Sequence, residues 1–259
     1  MQRPIWQVDA FSARRFAGNP AAVVPLDDWL PDATLLAIAA ENNLAETAYL
    51  VRDAGEYQIR WFTPAEEVPL CGHATLASAW VVFHRLEPSR QRVVFHSKSG
   101  PLAVEREHDR LVMDFPVNTV ERTDHGHEVT AALGATPREL YSGFQWLALF
   151  DDEAAVRALK PDMSALIRTG IHGVIATAPG RDCDFVSRFF APAAGVPEDS
   201  VTGSSHTRLT PFWAARLGKT SLHARQVSAR GGELWCSLAD GRVSIAGQAT
   251  LYLEGNIEV

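Results

Sequence analysis

Two stretches of sequence half a chain apart decide the fold: RWFTPAEEVP at 60–69 and RFFAPAAGVP at 188–197. Six of their ten positions are identical at a constant offset of 128 residues (188 − 60). Self-similarity at a fixed offset is the signature of a repeated structural unit. Because the offset is about half of the 259-residue chain, the sequence predicts a duplication.

The sequences flanking the two copies are also similar. Each copy follows two strand-like runs around a turn and precedes a glycine at a predicted helix start. The corresponding segments are 46–52, 57–62 and 71–75 in the first half and 173–178, 183–190 and 201–207 in the second. We therefore predict an α+β fold with two pseudo-symmetric halves, each a mixed β-sheet curled around a central helix.

The central helices differ in character. Residues 72–84 contain no Asp, Glu, Lys or Arg and are apolar on nearly every side, as expected of a helix surrounded by protein. The second copy, 203–216, contains Arg208 and Pro211. Pro211 lacks a backbone donor, so the sequence predicts a kink there.

The remaining elements follow from residue periodicity and turn signals. We expect strands at 5–11 and 21–26, a helix at 32–42, and a meander at 92–96, 102–105 and 110–115. The predicted domain boundaries are 1–117 for the first half, with a C-terminal strand at 248–259, and 118–247 for the second.

Composition restricts the function classes. With 46% hydrophobic and 21% charged residues the chain can bury a core, and its net charge of −7 argues against nucleic-acid and anionic-membrane partners. No apolar run approaches the roughly 18 residues of a membrane helix, and the first thirty residues lack a signal-peptide stretch. Cys71, Cys183 and Cys236 are far apart, which argues against disulfides and structural zinc. We expect a cytoplasmic protein.

The two helix starts are candidate binding positions. A helix start offers unpaired N–H groups and a positive dipole end, which suit a carboxylate. Gly72 and His73 in one half, and Gly203 and Ser204 in the other, allow a ligand close to the backbone. If the halves face each other, both starts flank one cleft. The simpler interpretation is that these residues are ordinary helix caps.

Four segments carry a family resemblance: GNPAAVV (18–24), NNLAETAYL (42–50), RWFTPAEEVPLCGHATLASA (60–79) and EDSVTGSSH (198–206). They closely resemble the PhzF family of phenazine-biosynthesis-like isomerases, over essentially the whole chain and in the same order. The resemblance implies the diaminopimelate epimerase fold, a cofactor-free proton shuttle without a metal, and usually a homodimer. In the best-understood members the reaction isomerises a dihydro-hydroxyanthranilate ring.

The resemblance also implies functional residues. The implied catalytic residues are Glu46, His73 and Asp199, and the implied substrate-binding residues are Asn19, Gly72, Gly203 and Ser204. The expected partner is a small carboxylate-bearing substrate.

Each implied catalytic residue has a structural alternative. Glu46 lies in a mostly apolar stretch that suits acid/base work, but it could form an ion pair with a neighbour such as Arg60. His73 could simply be a hydrogen-bonded residue at a helix start. Asp199 could be the N-cap of the second central helix, and this role is compatible with catalysis.

The chain departs from the family pattern near the second helix. The family commonly reads EDPVTGSAHCAL, whereas this chain reads EDSVTGSSHTRL. Ser200 replaces a proline, which should loosen the loop carrying Asp199. Thr207 and Arg208 replace small apolar residues, and the cation could meet a substrate carboxylate or pair with a local acid.

Three functions remain open. The favoured one is a cofactor-independent isomerase with Glu46 as general acid/base. The second is a dehydratase or racemase resembling hydroxyproline dehydratases, which would use Cys71 with its symmetry mate Thr202; we expect Cys71 to be inert. The third is a catalytically silent small-molecule binder.

At the offset of 128, Glu46 aligns with Val174, so only one half offers a carboxylate. The DHGH segment at 124–127 is expected to be solvated rather than metal-binding.

Overall fold

The computed structural model describes residues 2–259 and separates into two compact units. The first unit contains the residues up to Asp114 together with Ala246–Val259, and the second contains Phe115–Ile245. Both units combine β-sheet with a few helices, which confirms the predicted α+β class. Within residues 2–259, no helix is both long and apolar enough to span a membrane.

The first unit is built on a mixed sheet. Its strands are β1 (Gln2–Ala10), β2 (Asn19–Leu26), β3 (Glu46–Asp53), β4 (Glu56–Phe62), β5 (Glu67–Val68), β6 (Arg92–Ser97), β7 (Gly100–Glu107), β8 (Arg110–Pro116) and β18 (Ala249–Glu258). The sheet order is β18-β1-β2-β3-β4-β6-β7-β8, with β5 added to β4. The pairs β2/β3 and β4/β6 are parallel, and the others are antiparallel. The strands predicted in this half are thereby confirmed.

Helices pack on the sheet of the first unit. Helix α2 (Gly72–Val81) contacts β1, β2 and β3, and all its residues except Gly72 and Trp80 are buried, as the apolar sequence predicts. A short π-helical segment, Val82–Leu86, replaces the last predicted turn. Helix α1 (Asp32–Asn42) packs against a separate cluster that includes Tyr49 and Phe62.

The second unit repeats this design with more helices. Its strands are β9 (Glu121–Arg122), β10 (Glu139–Ser142), β11 (Trp146–Leu149), β12 (Val174–Pro179), β13 (Phe185–Ala191), β14 (Val196–Asp199), β15 (Ser221–Gln226), β16 (Gly232–Ala239) and β17 (Arg242–Gly247). Its helices are α3 (His127–Leu133), α4 (Glu153–Ala158), α5 (Met163–Arg168) and α6 (Gly203–Leu217). Helices α3, α4 and α5 share a buried apolar cluster with β11, β12 and β13.

Strand pairing shows the duplication directly. In the first unit β2/β3 is parallel, β3/β4 and β4/β5 are antiparallel, and β4/β6 is parallel. The second unit has the same sequence of pairings in β11/β12, β12/β13, β13/β14 and β13/β15. The two halves therefore share one topology, as the repeat predicts.

The register corrects one alignment made from the sequence. Thr47 pairs with Phe62 in the first unit, and Val174 pairs with Phe190 in the second. Because the second hairpin holds one more residue between these paired positions, the structural counterpart of Glu46 is Gly173, not Val174. A Cβ atom at Gly173 would lie 2.6 Å from the Phe189 ring, so this position excludes a side chain.

Helix α6 accommodates its internal proline through a neighbouring loop. The helix continues past Pro211 to Leu217. Since Pro211 has no N–H, the carbonyl of Thr207 lacks its helical donor. The backbone N–H of Asn118 donates to this carbonyl at 3.2 Å, and the Asn118 amide donates to the Thr207 hydroxyl at 2.9 Å.

Candidate functional site

In the first unit, four predicted site residues meet at the start of α2: Glu46, His73, Asn19 and Gly72. Glu46 is the first residue of β3, and His73 is the second residue of α2. His73 Nε2 lies 3.0 Å from Glu46 Oε2, and His73 Nδ1 lies 3.1 Å from the side-chain nitrogen of Asn19. Gly72 begins the helix, and Cys71 is its N-cap residue, with Sγ 3.5 Å from His73 Nδ1. We call these residues the Glu46–His73 centre.

Gly18 positions Asn19 in this centre. Its φ of +70° lies in the left-handed region, which favours glycine. A Cβ atom at this position would lie 2.2 Å from the carbonyl oxygen of Ala10. The tight turn thus brings Asn19 to the beginning of β2, where its amide reaches His73.

The charges of the centre oppose the effect of burial on His73. Burial favours the neutral imidazole, whereas the neighbouring Cys71 and Glu46 raise the pKa of His73, and the result is well above 6.5. Burial raises the pKa of the Cys71 thiol to about 11, so this thiol is protonated at neutral pH. Glu46 lies 3.0 Å from Nε2, so its proximity favours the protonated form of His73.

Glu46 is partly accessible. Its side chain is 15% exposed, although Oε2, which lies 3.0 Å from His73 Nε2, is itself buried. The ion pair with Arg60 suggested as an alternative is not formed. Arg60 instead pairs with Glu67 at 2.7 Å and Asp32 at 2.9 Å.

The same centre has the only donor set in residues 2–259 with metal-ligand geometry. One ligand atom each from Glu46, Cys71 and His73 lie within 4.8 Å of one another. A zinc ion would require the Cys71 thiolate and usually a fourth ligand. The DHGH segment at 124–127 contributes to no such group among these residues.

In the second unit, Asp199 lies beside the start of α6. Its carboxylate accepts a hydrogen bond from the Thr202 hydroxyl at 2.5 Å. The helix N-cap is Thr202, so Asp199 does not take the N-cap role that the sequence left open as an alternative. Buried Gln226 supports this turn, because its amide donates to the Asp199 carbonyl at 2.8 Å and accepts from the Thr202 backbone N–H at 2.9 Å.

Gly203 and Ser204 form the first turn of α6. Gly203 is buried, whereas Ser204 is exposed. The side chain of Gln145 donates to the Ser204 hydroxyl at 3.0 Å. This contact parallels Asn19 and His73 in the first unit, since each amide reaches the second residue of a central helix.

Sequence reasoning overlooked Gln145 and Gln226. Both are almost completely buried, with 3% and 1% of their surfaces exposed. The repeat does not mark Gln145, because the strand register makes Ala21, not Asn19, its counterpart. No local pattern marks Gln226, which reaches the helix start from the end of β15.

The chain is thus an α+β protein of two topologically equal halves, with an acid–imidazole pair at the start of one central helix. The sequence profile of the PhzC-PhzF family, described as phenazine biosynthesis-like proteins, matches residues 8–255. The chain belongs to this family.

Its relatives extend from bacteria to mammals. A Pseudomonas aeruginosa protein named as an uncharacterized isomerase is 54% identical over 100% of both chains. A mouse phenazine biosynthesis-like domain-containing protein is 40% identical over 99% of both chains.

Solved structures share the fold. A PhzF-family protein from Enterococcus faecalis is 45% identical, covers 100% of both chains and has a TM-score of 0.97. A hydroxyproline epimerase from Agrobacterium vitis is only 12% identical but has a TM-score of 0.63, covering 99% of this chain and 92% of the epimerase. This second likeness concerns the fold alone.

Proposed function

We propose that the protein is a cofactor-independent isomerase that relocates a proton on a small carboxylate-bearing substrate, with Glu46 as general acid/base. The observation that carries the proposal is the partly exposed Glu46 side chain, whose Oε2 lies 3.0 Å from His73 Nε2. The names of the bacterial relatives support the reaction class.

The proposed reaction needs only one base. The Glu46 carboxylate takes a proton from a substrate carbon, which leaves the electron pair delocalised over the adjacent unsaturated system. The resulting carboxylic acid returns the proton to another carbon on the same face, so the double bond moves and Glu46 is restored. His73, which lies beside Glu46, stabilises the negative charge that develops on the substrate.

The arrangement of the repeat favours isomerisation over racemisation. Racemases need a base on each face of the substrate carbon, and Gly173 occupies the second-unit position that corresponds to Glu46. The Cys71/Thr202 alternative is also disfavoured. The Cys71 thiol has a pKa of about 11, and the Thr202 hydroxyl donates to Asp199.

The residues in the second unit are assigned by resemblance. We propose that Asp199 polarises the substrate and that Gly203 and Ser204 bind it. Exposure of Ser204 at the start of α6 supports this assignment, because helix starts bind carboxylates.

The proposal is tested with a panel of small unsaturated carboxylic acids incubated with the protein in D₂O. Proton NMR should show one acid converted to a double-bond isomer, with part of the original hydrogen retained in the product. Retention is expected because a shielded carboxylic acid exchanges its proton slowly with solvent. Conversion with inversion of a stereocentre would contradict the one-base mechanism.

A further inference from the structure

Arg208 is a buried cation without an acidic partner. Only 8% of the residue is exposed, and its Nε atom is buried without a hydrogen bond. Nη1 donates to the Ser204 carbonyl at 3.2 Å and, at a long 3.4 Å, to the Gln145 side-chain oxygen. Burial is the one influence on the Arg208 pKa, which it lowers; no carboxylate in residues 2–259 offsets this effect.

Two other arginines of the chain show the hydrogen-bond geometry of a paired guanidinium. Arg188 donates to Glu198 through Nε at 2.7 Å and through Nη2 at 2.9 Å. Arg60 forms the same two-point contact with Glu67. In Arg208 this Nε/Nη2 edge, which binds carboxylates and phosphates in a two-point geometry, has no hydrogen bond within the described residues. A guanidinium remains charged, so the missing counter-ion destabilises the fold unless a ligand supplies it.

The surroundings of Arg208 suit a ligand. Ser204 is four residues earlier on the same helix face, exposed, and held by Gln145. The ring of Phe144 lies over the guanidinium, with its centroid 6.0 Å from the central carbon, and is 66% exposed. Phe144 stacks on exposed His172 at 4.3 Å. A ligand can therefore displace this ring without opening the core.

We propose that Arg208, Ser204 and Gln145 form an anion subsite in the second unit, which binds a carboxylate or phosphate group of the substrate. The subsite rests on the proposed function in one respect, namely that its ligand is the isomerase substrate. It makes Arg208 a specificity-determining residue, since a substrate without negative charge at this position leaves the guanidinium unpaired.

The test compares three probes of one shape: benzamide, which is neutral, benzoate and phenyl phosphate. Dissociation constants are measured by isothermal titration calorimetry for the wild type, R208M, R208K and R216M. Arg216 is the matched control, because it lies on the same helix but pairs with Glu139 at 2.6 Å. Benzoate and phenyl phosphate distinguish the two anion chemistries.

We expect the wild type to bind at least one anion about tenfold more tightly than benzamide, the scale of a charge-assisted hydrogen bond. R208M should lose this preference, R216M should keep it, and R208K should retain part of it because lysine lacks the planar fork. The inference is overturned if R208M and R208K both keep the full preference. It is also overturned if the wild type prefers neither anion over benzamide at concentrations up to about 10 mM.

Thermal unfolding separates binding from a purely structural role. Without ligand, R208M should be at least as stable as the wild type, because an unpaired buried charge is removed. A marked loss of stability in R208M, with the full anion preference intact in R208K, would assign Arg208 to the core instead.

A further variant keeps this inference distinct from the proposed function. E46Q removes the proposed base but leaves the subsite untouched, so its preference for anions should equal that of the wild type. If the anion preference depends on Arg208 while no acid exchanges hydrogen, the subsite stands and the isomerase fails. If an acid does exchange hydrogen but the anion preference does not depend on Arg208, the isomerase proposal stands and the subsite fails.

Discussion

His73 Nε2 lies 3.0 Å from Glu46 Oε2, an oxygen that is itself buried. The proximity of Glu46 is one of the causes that raise the pKa of His73. The Glu46 side chain as a whole is 15% exposed. In the proposed mechanism a ligand therefore reaches the base through the exposed part of this side chain.

Replacing Glu46 by glutamine tests the base directly. Glutamine has nearly the same shape but cannot accept a proton, so E46Q should reduce turnover by about 10³-fold or more while ligand binding stays nearly unchanged. Turnover is measured by NMR in D₂O and binding by calorimetry. E41Q, an exposed change in α1, is the control and should behave as wild type. A fully active E46Q would remove Glu46 from the mechanism.

Cys71 should be dispensable for catalysis. Its thiol is buried, its pKa is about 11, and its counterpart Thr202 offers no second thiol. C71A should therefore retain most of the activity, measured in the same exchange assay. C236A, another buried cysteine, controls for loss of packing. A drop of about 10³-fold confined to C71A would favour the cysteine-dependent alternative.

Gly18 should be intolerant of a side chain. Its φ is +70°, and the added methyl carbon of G18A would lie 2.2 Å from the Ala10 carbonyl oxygen, so the substitution combines backbone strain with a clash. We expect a loss of about 2–3 kcal/mol or more in the free energy of unfolding, measured by urea titration. G55A is the matched control, since Gly55 has φ +86° but no atom within 4 Å of its Cβ position. Equal losses of unfolding free energy in G18A and G55A would show that the neighbouring atoms move and relieve the clash.

His206 should make stability fall in acid. Its Nδ1 donates to the Thr202 carbonyl at 2.8 Å, Nε2 is buried without a partner, and burial lowers the pKa of the side chain to about 4. Since the unfolded chain protonates near pH 6.5, protons favour unfolding, and the loss develops as pH falls from about 6.5 to 4. The full loss is about 3 kcal/mol.

The measurement is the slope of unfolding free energy against pH in wild type, H206N and H96N. H206N should flatten the slope between pH 6.5 and 4, whatever its effect on absolute stability. H96N, at an exposed strand position, should leave the slope unchanged. An unaltered slope in H206N would mean that water reaches the imidazole in the folded protein.

The fold could be predicted from the sequence because its evidence is local. The apolar run at 72–81 predicts a buried helix, and identical residues such as Pro64 and Pro192 mark equivalent points of the duplication. The exact counterpart of Glu46 could not be predicted. It depends on the hairpin register, which one additional residue shifts without altering the motif at 188–197.

The site was only partly predictable. Motifs identify Glu46, His73 and Asp199, but contacts between distant segments determine what each residue does. Gln226 reaches Thr202 from a strand 24 residues later, and no spacing rule connects them. Likewise, the sequence alone does not decide whether Arg208 pairs with an acidic side chain or with a ligand. Only its surroundings show that no acidic side chain among the described residues pairs with it.

The crowding of Gly173 against Phe189 bears on how a second base could arise in this scaffold. Under the proposed function, a base at this equivalent position of the repeat is what a stereocentre-inverting enzyme would need. A Cβ atom at Gly173 would lie 2.6 Å from the Phe189 ring and 2.9 Å from the Phe190 carbonyl oxygen. Shrinking Phe189 alone would leave a cavity and no base. A glutamate at Gly173 therefore needs at least one compensating substitution, at Phe189.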